Sequence, residues 1–317
     1  MTDCNFTTLF YETHQLRRIG KNEPTPDDFD RIETIWLNFY GLGKFETYFF
    51  LYADCKDFQH FKNWVIQLKG QDFVIEADQK FKQWQDNPNR ENENPGTFPK
   101  VLSPEQIQFW EENGYLRISK AVDDQRCDEV ALQIRRHLNI DLNHPATWYM
   151  EHPDWQGIMV QLYQNEAMET VRKQENIRQI FADLYQTDQL VANIEKLGYN
   201  PPECEVWGFQ HGKLHWDIDL DKPVEFEVQG ILYLNDVPEN GGPLQLVPGF
   251  HQRFEEWIKQ FSSLERAHTS MRLTEVPQRI AGEKGDLILW RNTIPHAATS
   301  NNSTLPRFVQ YLSFSKL

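Results

Sequence analysis

The segment Leu214-His215-Trp216-Asp217-Ile218-Asp219 carries the residue types and spacing best suited to chemistry. In an extended strand, residues i and i+2 point to the same face, so His215 and Asp217 can converge on one ion. An imidazole nitrogen and a carboxylate oxygen are two of the three ligands of a 2-His-1-carboxylate facial site, which leaves positions open for a co-substrate and dioxygen. Asp217-x-Asp219 is a competing reading of the same strand. Imidazole ligation suits iron better than a further carboxylate, which favours His215. His-x-Asp alone is a common pairing, equally compatible with an exposed strand end closed by a local hydrogen bond.

Two later segments could complete a site. Gly285 to His296 (GDLILWRNTIPH) reads as a tight turn, an apolar strand and a Pro-His step. His296 therefore falls at a strand end, where the mouth of a barrel would lie. Arg307 opens the terminal run Phe308–Phe314. A guanidinium grips a carboxylate with two parallel hydrogen bonds that lysine cannot reproduce. A dicarboxylate chelating a metal through its 2-oxo acid end would need such a clamp at its far end. The other histidines fit structural roles better. His211 and His215 have the spacing of a helical zinc pair, but Gly212 and the β pattern around them argue against a helix. His251 follows a Pro-Gly turn and reads as a loop residue. His144 and His152 sit in a Pro-rich stretch that could cover the mouth of a site or simply connect elements.

The elements that must position these residues begin near Glu203. Short alternating runs over 205–210, 225–234, 244–247, 286–290 and 308–314, separated by turn signals, predict an all-β sandwich or barrel. In 225–234, Phe226, Val228, Leu232 and Leu234 form one apolar face; Glu225, Glu227, Gln229, Ile231 and Tyr233 form the other. One dry and one mostly polar face fits a jelly roll with a solvated interior site, and fits equally a face turned to bulk water.

Upstream the texture is helical. Thr25-Pro26-Asp27-Asp28 is a helix-start signal, followed by Phe29, Ile32, Ile35, Trp36 and Phe39 at helical spacing up to Gly41. Phe58, Phe61, Trp64, Val65 and Leu68 repeat the pattern, and such stripes are packing surface rather than ligand sites. We expect a helical N-terminal region over 1–86, a linker over 87–101 rich in Asn, Pro and Gly, and a jelly-roll domain over 102–317. Ser103-Pro104-Glu105-Gln106 is a capping box opening a helix that stops at Gly114. A strand over 115–118 and helices over about 124–138 and 166–184 follow. The fold class is α+β.

Composition bounds the function. The 317-residue chain has 39% hydrophobic residues, enough for a large domain with an appendage. A net charge of -15 repels phosphate backbones and argues against a nucleic-acid partner. Cys4, Cys55, Cys127 and Cys204 show neither disulfide nor zinc spacing and read as free thiols in a reducing compartment. The longest apolar run, Tyr48 to Ala53, is far too short to span a bilayer, and the N-terminus lacks a signal-peptide pattern. The expected location is cytoplasmic, with no membrane partner.

Taken in order, His215-x-Asp217, then Asn240-Gly241-Gly242-Pro243-Leu244-Gln245-Leu246-Val247-Pro248-Gly249-Phe250-His251, then Gly285-Asp286, Pro295-His296 and Pro306-Arg307, resemble the phytanoyl-CoA dioxygenase family. The opening Leu102 to Gln106 and Gly114-Tyr115-Leu116 is similar to that family's first helix and strand. The resemblance covers 102–317, about two-thirds of the chain. It implies a double-stranded β-helix (jelly-roll, cupin-like) oxygenase using Fe(II) and 2-oxoglutarate. The family's iron ligands fall on His215, Asp217 and His296, and its 2-oxoglutarate arginine on Arg307. Ala297-Ala298-Thr299 departs from the small or hydroxyl residues that often hold the co-substrate there. Thr299, Gln229 and Tyr233 become the candidates for a second anchor. Halogenases of this type lack the carboxylate, so Asp217 points to hydroxylation of a small molecule, with dioxygen consumed and succinate and CO2 released. The rivals are a non-catalytic jelly-roll binding protein and a cupin-like zinc or manganese enzyme that does not use dioxygen; neither needs a dicarboxylate clamp at Arg307. Acyl thioesters, amino acids, phosphonates and secondary metabolites are all substrates within the family, so the sequence names none here.

Overall fold

The computed structural model describes residues 5–87, 98–210, 212–219 and 223–317. Most of the expected linker, residues 88–97, lies outside the described residues, as does His211. The chain forms two compact units: Met1–Phe98 with Gln186–Ile194 and Phe314–Leu317, and Pro99–Tyr185 with Glu195–Ser313.

The first unit carries helices α1 (Asn5–Arg18), α2 (Phe29–Phe39), α3 (Lys44–Phe49), α4 (Phe58–Lys69) and α5 (Gln71–Gln85). Its aromatic stripes form one core, in which Phe10, Trp36, Phe61 and Phe81 are fully buried. The expected start signal at 25–28 makes a turn instead of helix: the Phe29 amide donates to the Pro26 carbonyl, and Asp28 makes no side-chain cap bond. Glu33 is buried in this core with both oxygens engaged, by His14 Nε2 at 2.6 Å and the Tyr48 hydroxyl at 2.7 Å, as a buried carboxylate requires. Phe314–Lys316 pairs with Leu190–Ala192 within the same unit.

The second unit carries α6 (Pro104–Asn113), α7 (Asp124–His137), α8 (Glu166–Arg172), α9 (Glu175–Tyr185), α10 (Phe254–Ile258) and α11 (Leu264–Thr274). The capping box forms as expected, Ser103 accepting from the Gln106 amide and Gln106 from the Ser103 amide, and Gly114 closes α6 at φ 71°. The single helix expected over 166–184 is two helices. Met168 and Val171 share one phase and Ile177, Ile180, Phe181 and Leu184 another. A continuous helix would place Ile177 well round from Val171, so the break lets both sets be buried.

The strands, in chain order, are β1 (Tyr115–Ile118), β2 (Trp155–Gln156), β3 (Met159–Val160), β4 (Leu190–Ala192), β5 (Leu197–Asn200) and β6 (Val228–Tyr233). They continue with β7 (Leu244–Leu246), β8 (Gln278–Ile280), β9 (Leu287–Arg291), β10 (His296–Ala298) and β11 (Arg307–Lys316). The larger sheet runs β1-β9-β6-β11-β5-β3-β2 and the smaller β10-β7-β8, all antiparallel. Tyr233 of the larger sheet joins them: its hydroxyl donates to the Ile280 carbonyl at 2.8 Å and accepts from the Leu244 amide at 3.0 Å. Two antiparallel sheets facing each other make the double-stranded β-helix the sequence led us to expect.

Two sequence expectations are corrected here. No strand forms over 205–210; Cys204 and Trp207 make an isolated bridge that turns the chain, and Glu203 caps the Phe209 amide. In 225–234 only Val228–Tyr233 is strand, and it is buried on both faces rather than one. Its inner face, Ile231 and Tyr233, packs in the core between the sheets. Its outer face meets helices, with Phe181 so close to Gly230 that a Cβ there would sit 3.2 Å from the ring. The charged residues Glu225 and Glu227 belong to the segment before the strand.

Candidate metal and co-substrate site

The segment bearing His215 and Asp217 is not a regular strand; it is held in place from both sides. On one side, His215 and His296 exchange backbone hydrogen bonds of 3.1 and 3.0 Å, placing the segment beside β10. On the other, Leu214 and Trp216 point away and are buried. The Trp216 indole donates to the Thr293 carbonyl at 3.0 Å and stacks on His268 of α11, while Arg272 of the same helix bonds the Leu214 carbonyl at 2.8 Å. Alternation then leaves His215 and Asp217 on the opposite face, with His296 as cross-strand neighbour.

Ligand atoms of His215, Asp217 and His296 all lie within 4.8 Å of one another. His215 Nε2 is 3.5 Å from Asp217 Oδ1, and His296 Nε2 is 3.3 Å from Asp217 Oδ2. Each ring has its Nδ1 on a backbone carbonyl, of Lys213 at 2.9 Å and of Ile294 at 3.1 Å. A carbonyl only accepts, so Nδ1 carries a proton and each ring turns its Nε2 to the carboxylate, where the lone pair of the neutral form is available to a metal. Three lone-pair donors directed at one point are reconciled by a cation between them, so the residues fit a divalent metal. His296 is nearly buried, whereas the side chains of His215 and Asp217 are 38% and 54% exposed, so the cluster opens outward. Burial works to raise the Asp217 pKa, but His296, the Gln229 amide and His215 outweigh it and hold the carboxyl below the usual range. Burial, and then the neighbouring His296, lower the His215 pKa. Both residues keep their ligating forms into mild acid.

That direction has a consequence for stability. His215, His251 and His268 all have pKa values lowered chiefly by burial. As pH falls through the ordinary histidine range, near 6.5, the unfolded chain takes up protons that the folded chain refuses. Stability is thus fully present above that range and lost as pH falls through the lower folded values. Metal-free protein should melt at a lower temperature at about pH 5.5 than at about pH 7.5; a flat or rising midpoint would contradict these shifts.

Gln229 joins the triad: its Nε2 donates to Asp217 Oδ2 at 2.9 Å and its Oε1 accepts from Trp290 Nε1 at 2.8 Å. The remaining candidates gather at a second corner, around 242–244. Arg307 is buried, and its Nη1 donates to the Gly242 carbonyl at 2.5 Å. Thr299 donates to the Pro243 carbonyl at 2.7 Å, and Tyr233 receives the Leu244 amide. Burial pushes the Tyr233 hydroxyl up to about 12, so it stays protonated. Arg307 Nε and Nη2 are buried and have no hydrogen-bond partner among the described residues. A buried, half-satisfied guanidinium is costly, and a carboxylate meeting Nε and Nη2 side by side would satisfy it. The arginine therefore fits an anionic ligand.

Gly242 makes this corner possible. It sits at φ 77°, and a Cβ would lie 2.5 Å from Asn200 Nδ2 and 3.1 Å from the Thr299 carbonyl. Gly242→Ala should destabilise the protein by about 1–3 kcal/mol in urea unfolding and loosen the carbonyl that holds Arg307. An unchanged midpoint would show that the corner relaxes freely.

The sequence reading missed Trp290, Asn200 and Tyr311 as neighbours of these corners. Tyr311 shares the Arg307 face of β11 by strict alternation, and its pKa, raised by burial, also responds to Arg307 and Asp217. Asn200 lies opposite Arg307 on β5 and bonds the Thr299 carbonyl; nothing local marks it. His251 donates to or accepts from no candidate ligand and contacts the Glu111 carbonyl at 3.0 Å. The stretch holding His144 and His152 is tied down, Tyr149 donating to the Pro202 carbonyl and Tyr199 to that of Trp148. A second group, His137, His152 and Asp154, also brings ligand atoms within 4.8 Å, with His137 Nε2 2.9 Å from Asp154 Oδ2.

The sequence model of the phytanoyl-CoA dioxygenase (PhyH) family matches residues 110–309, spanning the triad and Arg307. The chain belongs to the PhyH family. A Dictyostelium discoideum protein provisionally named a phytanoyl-CoA dioxygenase is 21% identical over 259 residues, 65% of this chain and 73% of that protein. Among solved structures, the non-haem α-ketoglutarate-dependent carbocyclase SnoK of nogalamycin biosynthesis superposes with TM-score 0.52 and 16% identity, over 68% of this chain and 87% of that one. HygX from Streptomyces hygroscopicus, solved with nickel and 2-oxoglutarate bound, gives 0.51 and 13%, over 68% and 88%. These likenesses establish the cupin-like fold of the PhyH domain. Among the described residues, no helix is long and apolar enough to cross a membrane.

Proposed function

We propose that the chain is an Fe(II)- and 2-oxoglutarate-dependent dioxygenase that hydroxylates a C–H bond of a small molecule. The observation that carries this reading is the convergence of the His215 and His296 Nε2 lone pairs on the Asp217 carboxylate. Bound there, Fe(II) with 2-oxoglutarate would supply dioxygen activation, releasing succinate and CO2 as the substrate is oxidised. In this reading His215, Asp217 and His296 hold the metal and leave one face of it open. Arg307 meets the far carboxylate of the co-substrate through Nε and Nη2, with Thr299 and Tyr233 shaping the corner around it. Gln229 steadies Asp217 rather than touching the co-substrate. The protein's contribution is placement of the metal and the co-substrate. The three described cysteines are free, which suits a reducing, cytoplasmic setting.

The test is dioxygen-dependent conversion of 2-oxoglutarate to succinate by iron-loaded protein across a panel of small molecules. Turnover that needs iron, dioxygen and one member of the panel is the expected result. Turnover with zinc or manganese in the absence of dioxygen would place the chain in another reaction class. Ligand binding with no succinate under any condition would make it a binding protein.

A further inference from the structure

We propose that Trp290 is a positioning residue for the metal site, acting through Gln229 on the Asp217 carboxylate. The inference rests on the reading of His215, Asp217 and His296 as metal ligands. Gln229 and Trp290 stand directly opposite each other on the adjacent strands β6 and β9. Their side chains share the inner face, and Trp290 is only 3% exposed. The indole N–H can donate but not accept. Its 2.8 Å bond therefore selects the amide oxygen of Gln229, and the amide nitrogen must turn to Asp217 Oδ2, 2.9 Å away.

Without the indole N–H, the amide is free to rotate by half a turn. That would set Gln229 Oε1 against a carboxylate oxygen, two acceptors with no proton between them. With the indole in place, Oδ2 keeps a donor on it, and the carboxylate is held with Oδ1 toward His215 Nε2 and Oδ2 toward His296 Nε2. Trp290 thus fixes how the plane of Asp217 is turned between the two imidazoles. The same indole packs on the His296 ring, with centroids 5.0 Å apart. That packing is the competing explanation for any effect of Trp290, and phenylalanine separates the two, since it keeps an aromatic ring and removes the N–H.

The experiment measures Fe(II) affinity without co-substrate, anaerobically, by competition with a chromophoric chelator. Wild type, Trp290→Phe, Gln229→Leu, the double variant and His215→Ala are compared. Lost outer partners of metal ligands weaken binding by roughly 10–100-fold, and both single variants should fall in that range. The double variant should bind no more weakly than Gln229→Leu alone, because the indole acts only through the amide. Trp290→Phe binding like wild type, or adding its full effect to Gln229→Leu, overturns the proposal; the second result assigns Trp290 to packing on His296. Should the tryptophan variant not fold, Gln229→Met tests the same link without adding charge beside the metal. It removes both the oxygen that accepts from the indole and the donor to Asp217, should also weaken Fe(II), and unaltered affinity there overturns the proposal too. Wild-type binding that is absent, or indifferent to His215→Ala, overturns the metal-site reading itself and this inference with it.

Discussion

Arg307→Leu raises the dissociation constant for 2-oxoglutarate on the Fe(II)-loaded, anaerobic protein by roughly 30-fold to several thousand-fold. That range corresponds to the about 2–5 kcal/mol lost when one partner of a buried, hydrogen-bonded charge pair is removed. The arginine can be removed without an equal cost in stability. Two of its guanidinium nitrogens are buried with no partner among the described residues, so an apolar side chain removes a desolvated charge, which offsets the lost packing of the longer arginine and its bond to the Gly242 carbonyl. Binding should therefore fall by far more than the stability of the ligand-free protein. Arg307→Lys should not restore affinity, because an ammonium cannot make the paired contact. Calorimetric titration of the three proteins decides it, and undiminished affinity in the leucine variant would remove Arg307 from the co-substrate site.

His215→Ala abolishes stoichiometric Fe(II) binding at micromolar protein. Losing a direct ligand should exceed the roughly 10–100-fold penalty of losing an outer partner. The side chain is 38% exposed, so its removal leaves no large cavity and the fold should survive. Loss of His215 also deletes a histidine that is harder to protonate folded than unfolded, so the variant should be less sensitive to mild acid than wild type. Wild-type iron affinity in this variant would transfer the metal elsewhere, and the His137, His152 and Asp154 group would be the next to examine.

How much of this was legible in the sequence differs by element. The triad was legible because two of its members lie at i and i+2, the spacing that a strand converts directly into shared direction. Arg307 was legible as a cation opening a strand, but its value lies in two nitrogens without a partner among the described residues, which only packing reveals. Gln229 and Tyr233 were found together on one face of β6, and alternation could not separate their roles. Gln229 reaches Asp217, while the Tyr233 hydroxyl ties the two sheets together. Trp290 read as one more apolar residue of a core strand, because its N–H matters only once Gln229 lies across from it. The helix signalled at 25–28 begins about one turn later, at Phe29, and the strand at 205–210 does not form; in both places local turn chemistry outweighed the pattern. Double burial of β6 was also hidden, since alternation does not say what covers the second face.

The most direct test of the central claim is an anaerobic titration of Fe(II) and 2-oxoglutarate into metal-free protein, followed by the visible metal-to-ligand charge-transfer band. A site built from His215, Asp217, His296 and Arg307 predicts a saturable band in wild type, absent in His215→Ala, and needing far more 2-oxoglutarate in Arg307→Leu. Folded, iron-loaded wild-type protein that gives no band, or a band unchanged in His215→Ala, would contradict it.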